Sequence, residues 1–266
     1  MTIFTPKKMF NFIIDYNITY HCNLNCSGCN HFCPLVKESR YADIDNFVNN
    51  IFRLKEIFRV NEHRIDLRLV GGEPLLHPEI KTFMTYAKEI LPESVISIYT
   101  NGIYLSDNIR KLADANNIQI YVSNYHLSGL ENIYRKSNLK EKADFKYKYL
   151  STVNDMSRSA CRFETHDSCC SSLDWNGNFH LCGITETIHY LNEYYGYSFN
   201  IAEGEDFVNI YDRNITYASL LKMKIRNRPF CGYCRKAETK KWKQFDGENT
   251  WIQDMDVSYS DRQDTL

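Results

Sequence analysis

The sequence predicts an α/β fold built on a parallel sheet. Two observations carry this expectation: strand-like and helix-like segments alternate from Phe12 to Leu150, and strand-like runs stop at Gly71-Gly72 and Asn101-Gly102. Phe12 to Tyr20 is rich in β-branched and aromatic residues and reads as a first strand. Ile44 to Val60 places apolar residues three and four apart, the stripe of an amphipathic helix. Ile65 to Val70 alternates apolar and polar as a second strand, and Pro78 to Leu91 follows as a helix. Val95 to Thr100 is a third strand, Asp107 to Asn117 a helix, and Ile118 to Ser123 a fourth strand. Leu127 to Leu139 reads as helical and Phe145 to Leu150 as a further strand. The pattern changes near residue 155. Leu173 to Leu181 reads as a hairpin turning at Asn176-Gly177, a pair suited to a type I′ turn. A helix is expected near Ser219 to Arg226, ahead of Cys231. The expected division is a core over 1–155, a smaller module over 156–243, and a polar, loosely ordered tail over 244–266.

The chain has 266 residues, 43% of them hydrophobic, enough for one large core with a small appendage. A net charge of −1 gives no electrostatic case for nucleic acid or an anionic membrane surface. No run reaches the roughly 18 apolar residues of a membrane helix. Met1 to Phe12 lacks the apolar core and cleavage site of a signal peptide, so a cytoplasmic location is expected. In that reducing setting, ten cysteines point to metal ligation or redox chemistry rather than disulfides.

The cysteines cluster. Cys22, Cys26 and Cys29 sit on one tight loop after the first strand, with Cys33 nearby. Three thiolates on such a loop can hold three corners of an iron–sulfur cubane and leave one iron open; zinc is the rival occupant. The C-x3-C-x2-C spacing after a first strand resembles the signature of the radical S-adenosylmethionine (SAM) superfamily. Gly71-Gly72-Glu73-Pro74 after the second strand resembles that family's GGEP motif, which binds the SAM amino group. Thr100-Asn101-Gly102 resembles its TNG segment, and Ser123-Asn124 holds the equivalent place after the fourth strand. The resemblance implies a partial TIM-type (β/α)6 barrel, with a [4Fe–4S] cluster on Cys22, Cys26 and Cys29. It also implies SAM held by Gly71, Gly72, Glu73, Pro74, Thr100, Asn101, Ser123 and Asn124. One position departs from the pattern: the residue before the third cysteine, usually an aromatic beside the adenine, is Gly28. Tyr20-His21 or His31-Phe32 is expected to supply that surface.

A second group, Cys169-Cys170, Cys182 and Cys231-x-x-Cys234, resembles the shorter twitch version of the family's SPASM/twitch extensions. That implies one auxiliary [4Fe–4S] cluster on Cys170, Cys182, Cys231 and Cys234, with Cys169 as the alternative to Cys170. Zinc is again the rival. Cys161 is a further ligand candidate or a thiol beside the substrate.

The resemblance implies reductive cleavage of SAM to a 5′-deoxyadenosyl radical that abstracts hydrogen from a substrate. The expectation is an oxidoreductase acting on a small polar molecule, sugar- or cyclitol-like. Its electron donor would be a flavodoxin or ferredoxin, with no nucleic-acid or membrane partner. An alcohol oxidation needs a group to take the hydroxyl proton, for which Cys161, His126 and Arg162 are candidates, with His166 beside them. The alternatives are a peptide-modifying enzyme of the same family, an activating enzyme for a glycyl-radical partner, and a non-enzymatic zinc protein.

Overall fold

The computed structural model describes residues 11–125, 140–142, 145–159, 171–224 and 226–253. Strand β1 (Phe12–Thr19) pairs in parallel with β2 (Ile65–Gly71), placing Asp15 opposite Arg68. Strands β3 (Val95–Thr100), β4 (Gln119–Ser123) and β5 (Lys140–Lys142) extend the sheet, each parallel to the one before. On its other side β1 pairs in parallel with β7 (Ser171–Leu173). Six parallel strands, the number expected of the partial barrel, therefore run in the order β5-β4-β3-β2-β1-β7. Antiparallel β8 (Asn178–His180) and β9 (Phe207–Asn209) finish that edge.

Helices α1 (Ile44–Phe58), α2 (Ile80–Ile90) and α3 (Asp107–Ala115) connect the first four strands. Asp43 caps α1 by accepting the Asn46 amide at 2.9 Å, and Ser106 caps α3 through the Ile109 amide. The apolar stripe of α1 packs Phe47, Ile51, Leu54 and Phe58 fully into the core beneath β1 and β2. Each such side chain contributes about 1.5–3 kcal/mol on burial. Among the described residues no helix is long and apolar enough to cross a membrane.

The sequence reading and the structure differ in five places. The strand expected over Phe145 to Leu150 forms as β6 (Phe145–Tyr147), but it pairs with β10 (Glu238–Lys240) in a separate two-stranded sheet. The sixth parallel strand is β7 instead, whose Ser-Ser-Leu sequence lacks the β-branched signature of a strand. The hairpin turn is not type I′, because Gly177 (φ +79°) has a positive φ and Asn176 does not. Asp174 decides this: its carboxylate accepts the Asn176 and Asn178 amides at 2.9 and 2.8 Å, and its backbone bonds to Gly177 and Asn178. That holds a type I turn closed by a left-handed glycine. Finally, α4 (Gly183–Tyr195) escaped the sequence reading because Thr185, Glu186 and Thr187 are buried and blur its apolar period. Helix α5 (Tyr217–Lys224) lies two residues ahead of its expected place.

A second core cluster joins α4 to the loop after β1 through Tyr20, Phe32, Leu191, Phe230 and Trp251. Tyr20 donates its hydroxyl to buried Glu186 at 2.5 Å, and Asn17 Nδ2 donates to the same carboxylate at 2.8 Å. Charge buried in this way is held by its hydrogen bonds.

Candidate active site

The loop that leaves β1 is shaped by backbone that few residues adopt. Asn25 (φ 46°) and Gly28 (φ 68°) are left-handed, and their bends bring Cys22, Cys26 and Cys29 onto one wall of a cavity of about 290 Å³. The opposite walls carry Glu73, Asn101 and Asp15.

Two glycines let the next loop reach this wall. A Cβ on Gly71 would collide with the Thr19 carbonyl oxygen, and one on Gly72 with that of His21. The amides of Gly72 and Glu73 donate to those same oxygens at 2.7 and 2.8 Å. The glycines thus serve a backbone-to-backbone approach between the β2 loop and the root of the thiol loop. Pro74 opens a short 3-10 turn, Pro74–Leu76, whose Leu75 amide Glu73 caps at 3.0 Å.

Glu73 is the knot of the site. Its carboxylate also accepts the Thr100 hydroxyl at 2.6 Å and the Asn101 amide at 2.8 Å. Asn101 Nδ2 in turn donates to Asn23 Oδ1 in the thiol loop at 2.8 Å. Three loops from three strand ends are locked together. Burial pushes the Glu73 carboxyl up to about 7, against the hydrogen bonds from Asn101, Thr100 and Leu75 that favour the anion. Ser123 and Asn124 also line the cavity.

The thiols have the chemistry of cluster ligands. Burial pushes the Cys22 thiol up to about 11, opposed by hydrogen bonds from the Leu24 and Asn25 amides. Burial raises Cys26 further, opposed by the Trp242 indole. Cys33 hydrogen-bonds to Cys29, which lowers Cys29 and raises Cys33. Buried thiolates need a positive partner, and N–H groups already point at the sulfurs as they do around iron–sulfur clusters. Among the described residues, no three His, Cys, Asp or Glu side chains converge tightly enough for a single metal ion. The thiols share one cavity, and their donor chemistry fits a thiolate-held group such as an iron–sulfur cluster.

The Tyr147 ring of β6 packs where a side chain at Gly28 would stand. His31 lines the cavity, as do Tyr125 and Phe145, whereas Tyr20 is turned into the second core cluster.

The polar floor of the cavity was missed from sequence. Asp15, Arg68 and Tyr99 stand on β1, β2 and β3, with Lys148 beyond β6. A signal was present: Asp15 and Arg68 are charged residues in the middle of strands otherwise rich in buried apolar residues. Arg68 lies over the Tyr99 ring at 4.9 Å and donates to Asp66 at 3.2 Å. Among the described residues, Asp15 Oδ1 is buried with no hydrogen-bond partner. Burial pushes the Asp15 carboxyl up to about 6, against the charges of Arg68 and Lys148.

For the second cysteine group, Cys182 caps the start of α4, Cys231 lies within a 3-10 turn (Pro229–Tyr233), and Cys234 caps that turn's end. Asp206 ties them: its carbonyl accepts the Leu181 amide at 3.0 Å, and its carboxylate the Phe230 amide at 3.1 Å. The residues next to Cys182 and Cys231 are thus bonded to one aspartate. Cys169 and Cys170 lie outside the described residues, as do His126, Cys161, Arg162 and His166.

Comparison with known proteins follows this geometry. Residues 16–142 match the family model of the Radical SAM superfamily. The GTP 3′,8-cyclase of Nautilia profundicola is 33% identical over 110 residues, covering 38% of this chain and 32% of that protein. The GTP 3′,8-cyclase of Clostridium perfringens strain SM101 is 30% identical over 118 residues, 41% and 33% of the respective chains. This chain therefore spans about a third of the length of these curated relatives. The crystal structure of BtrN in complex with AdoMet and 2-DOIA superposes with a TM-score of 0.52 at 17% identity, covering 86% of this chain and 94% of that one. The likeness to BtrN concerns the fold. The matched stretch runs from the strand that carries the thiol loop to the fifth parallel strand of the same sheet, so just under half of this chain matches the radical SAM superfamily.

Proposed function

We propose that this radical SAM enzyme is an oxidoreductase that removes hydrogen from a small, hydroxyl-bearing substrate of sugar or cyclitol type. One observation carries the reading: the cavity of the thiol loop also holds Asp15, whose buried Oδ1 has no hydrogen-bond partner among the described residues. A substrate hydroxyl satisfies such an oxygen, and an unpartnered buried acceptor otherwise costs about 1–3 kcal/mol. Tyr125 and Phe145 supply apolar ring walls of the kind that pack against a sugar ring. The 2-DOIA bound in BtrN, a fold relative, is a small-molecule precedent.

When bound, the [4Fe–4S] cluster and SAM supply a 5′-deoxyadenosyl radical able to take a hydrogen atom from carbon. Cys22, Cys26 and Cys29 would hold the cluster; Gly71, Gly72, Glu73, Pro74, Thr100 and Asn101 would shape the SAM site, with Ser123 and Asn124 beside it. Glu73 spends its carboxylate on Thr100, Asn101 and Leu75, so its part is to fix the loops. Asp15 accepts the substrate hydroxyl and takes its proton, with Arg68 and Lys148 balancing the carboxylate. His126, Arg162 and Cys161 stay candidates for proton transfer. Cys182, Cys231 and Cys234, with Cys170 or Cys169, would hold an auxiliary cluster, which would supply one-electron redox chemistry beside the substrate.

The test is anaerobic reconstitution with iron, sulfide, SAM and dithionite, scoring 5′-deoxyadenosine against a panel of sugars, cyclitols and short peptides. Stimulation by a sugar or cyclitol supports the proposal. Stimulation by peptides alone transfers the chain to the peptide-modifying class, and tight zinc with no iron uptake removes the enzymatic reading.

A further inference from the structure

The segment from Trp242 to Trp251 lies across the thiol loop. Cys26 and Gln244 form a β-bridge, and the Ser27 amide donates to the Lys243 carbonyl at 3.0 Å. The Phe245 amide donates back to the Asn25 carbonyl at 2.7 Å. Gly28 donates its amide to Thr250 Oγ1 at 2.9 Å, and Trp251 donates its indole N–H to the Cys29 carbonyl at 2.8 Å. All of this lies beyond the family match, which ends at residue 142. The sequence had suggested that this stretch was loosely ordered.

Within this strap one bond differs in kind. Trp242 Nε1 donates to the sulfur of Cys26 at 3.0 Å. The other donors on the Cys22 and Cys29 sulfurs are neighbouring amides and Cys33, all from the loop itself. The indole ring is held in place by Tyr125, with ring centroids 6.1 Å apart.

We propose that Trp242 is a positioning residue that raises the reduction potential of the cluster on Cys22, Cys26 and Cys29. The inference rests on the cluster assignment made above. A one-electron reduction adds negative charge that spreads onto the thiolate sulfurs. An N–H dipole aimed at one sulfur stabilises the reduced state more than the oxidised one. The proton stays on the indole nitrogen throughout, and the electron comes from the external reductant.

The test uses the full chain reconstituted anaerobically, with the cluster's midpoint potential followed by EPR and identified by its spectral change on adding SAM. In W242F the reduced-to-oxidised ratio at a fixed applied potential falls about tenfold, equal to 59 mV for a one-electron couple. W242H, which keeps a ring N–H, recovers part of the loss. An unchanged potential in an iron-replete W242F chain overturns the inference. A second readout needs no variant to fold: with 15N-labelled tryptophan, the reduced wild-type cluster shows hyperfine coupling to an indole nitrogen. Absence of that coupling also overturns it. Failure of the wild-type chain to assemble any cluster is a different result, which overturns the cluster assignment.

Discussion

The backbone N–H of Asn101 donates to Oε2 of Glu73 across 2.8 Å, joining the loop after β3 to the loop after β2. Glu73→Gln puts an amide NH2 in reach of that N–H or of the Thr100 hydroxyl, so one acceptor is lost. The variant should be destabilised by about 1–3 kcal/mol. It should also bind SAM at least tenfold more weakly, because the loops lose their tie. Thermal denaturation and isothermal titration with SAM measure the two effects. Wild-type SAM affinity in E73Q would contradict the assigned role.

Glycine substitutions separate collision from conformational strain. Gly72→Ala drives a methyl group into the His21 carbonyl, where only backbone can yield. We expect a loss of about 2–4 kcal/mol, the range of severe single substitutions, together with loss of iron uptake. Gly196→Ala, at φ 73° at the end of α4 with open space around it, should cost only about 1–2 kcal/mol and leave iron content unchanged. Equal effects at the two positions would show that the close approach of the β2 loop to residues 19–21 is unimportant.

Asp15 gives the protein a pH signature. Its folded carboxyl is raised from 3.8 to about 6, so the folded state holds a proton that the unfolded state has released between those values. Stability contributed by the protonated carboxyl is therefore present at low pH and lost as pH climbs from about 4 to about 6, up to roughly 3 kcal/mol in all. Asp15→Asn should flatten the denaturation midpoint over that window while leaving SAM binding intact. Under the proposed chemistry it should also depress substrate-stimulated turnover. A D15N chain with the wild-type pH slope would show that the carboxylate is solvated.

The four neighbouring thiols should not be equivalent. Cys26→Ala should abolish cluster assembly and 5′-deoxyadenosine release, whereas Cys33→Ala should keep both and lose only the hydrogen bond to Cys29. Iron and sulfide analysis with visible absorbance settles the comparison. Loss of the cluster in C33A alone would move the ligand set.

What could be read from the sequence divides along physical lines. The first four strands, α1 to α3 and the two glycine-bearing loops were legible because period, caps and breaks agree locally. Gly71-Gly72 was recognisable by type, although its reason, contact with the Thr19 and His21 carbonyls, depends on a tertiary approach. Strand β7 and helix α4 were not legible: one is three small residues held by pairing with β1, the other a helix with polar residues buried against Asn17 and Tyr20. Asp15 could have been found as a carboxylate in the middle of an otherwise apolar stretch of the first strand, between Ile14 and Tyr16. Trp242 could not, because nothing near it in sequence points at a sulfur 216 positions away.

That distance has a consequence in time. During synthesis the cysteine loop emerges long before the strap that covers it, and at 5–20 residues per second the interval is roughly 10–40 s. For that interval the three thiols are exposed on an unfinished chain, open to a scaffold delivering iron and equally open to oxidants. The finished protein closes Trp242 and Trp251 over the loop, so metal delivered on the ribosome and metal delivered afterwards meet two different doors.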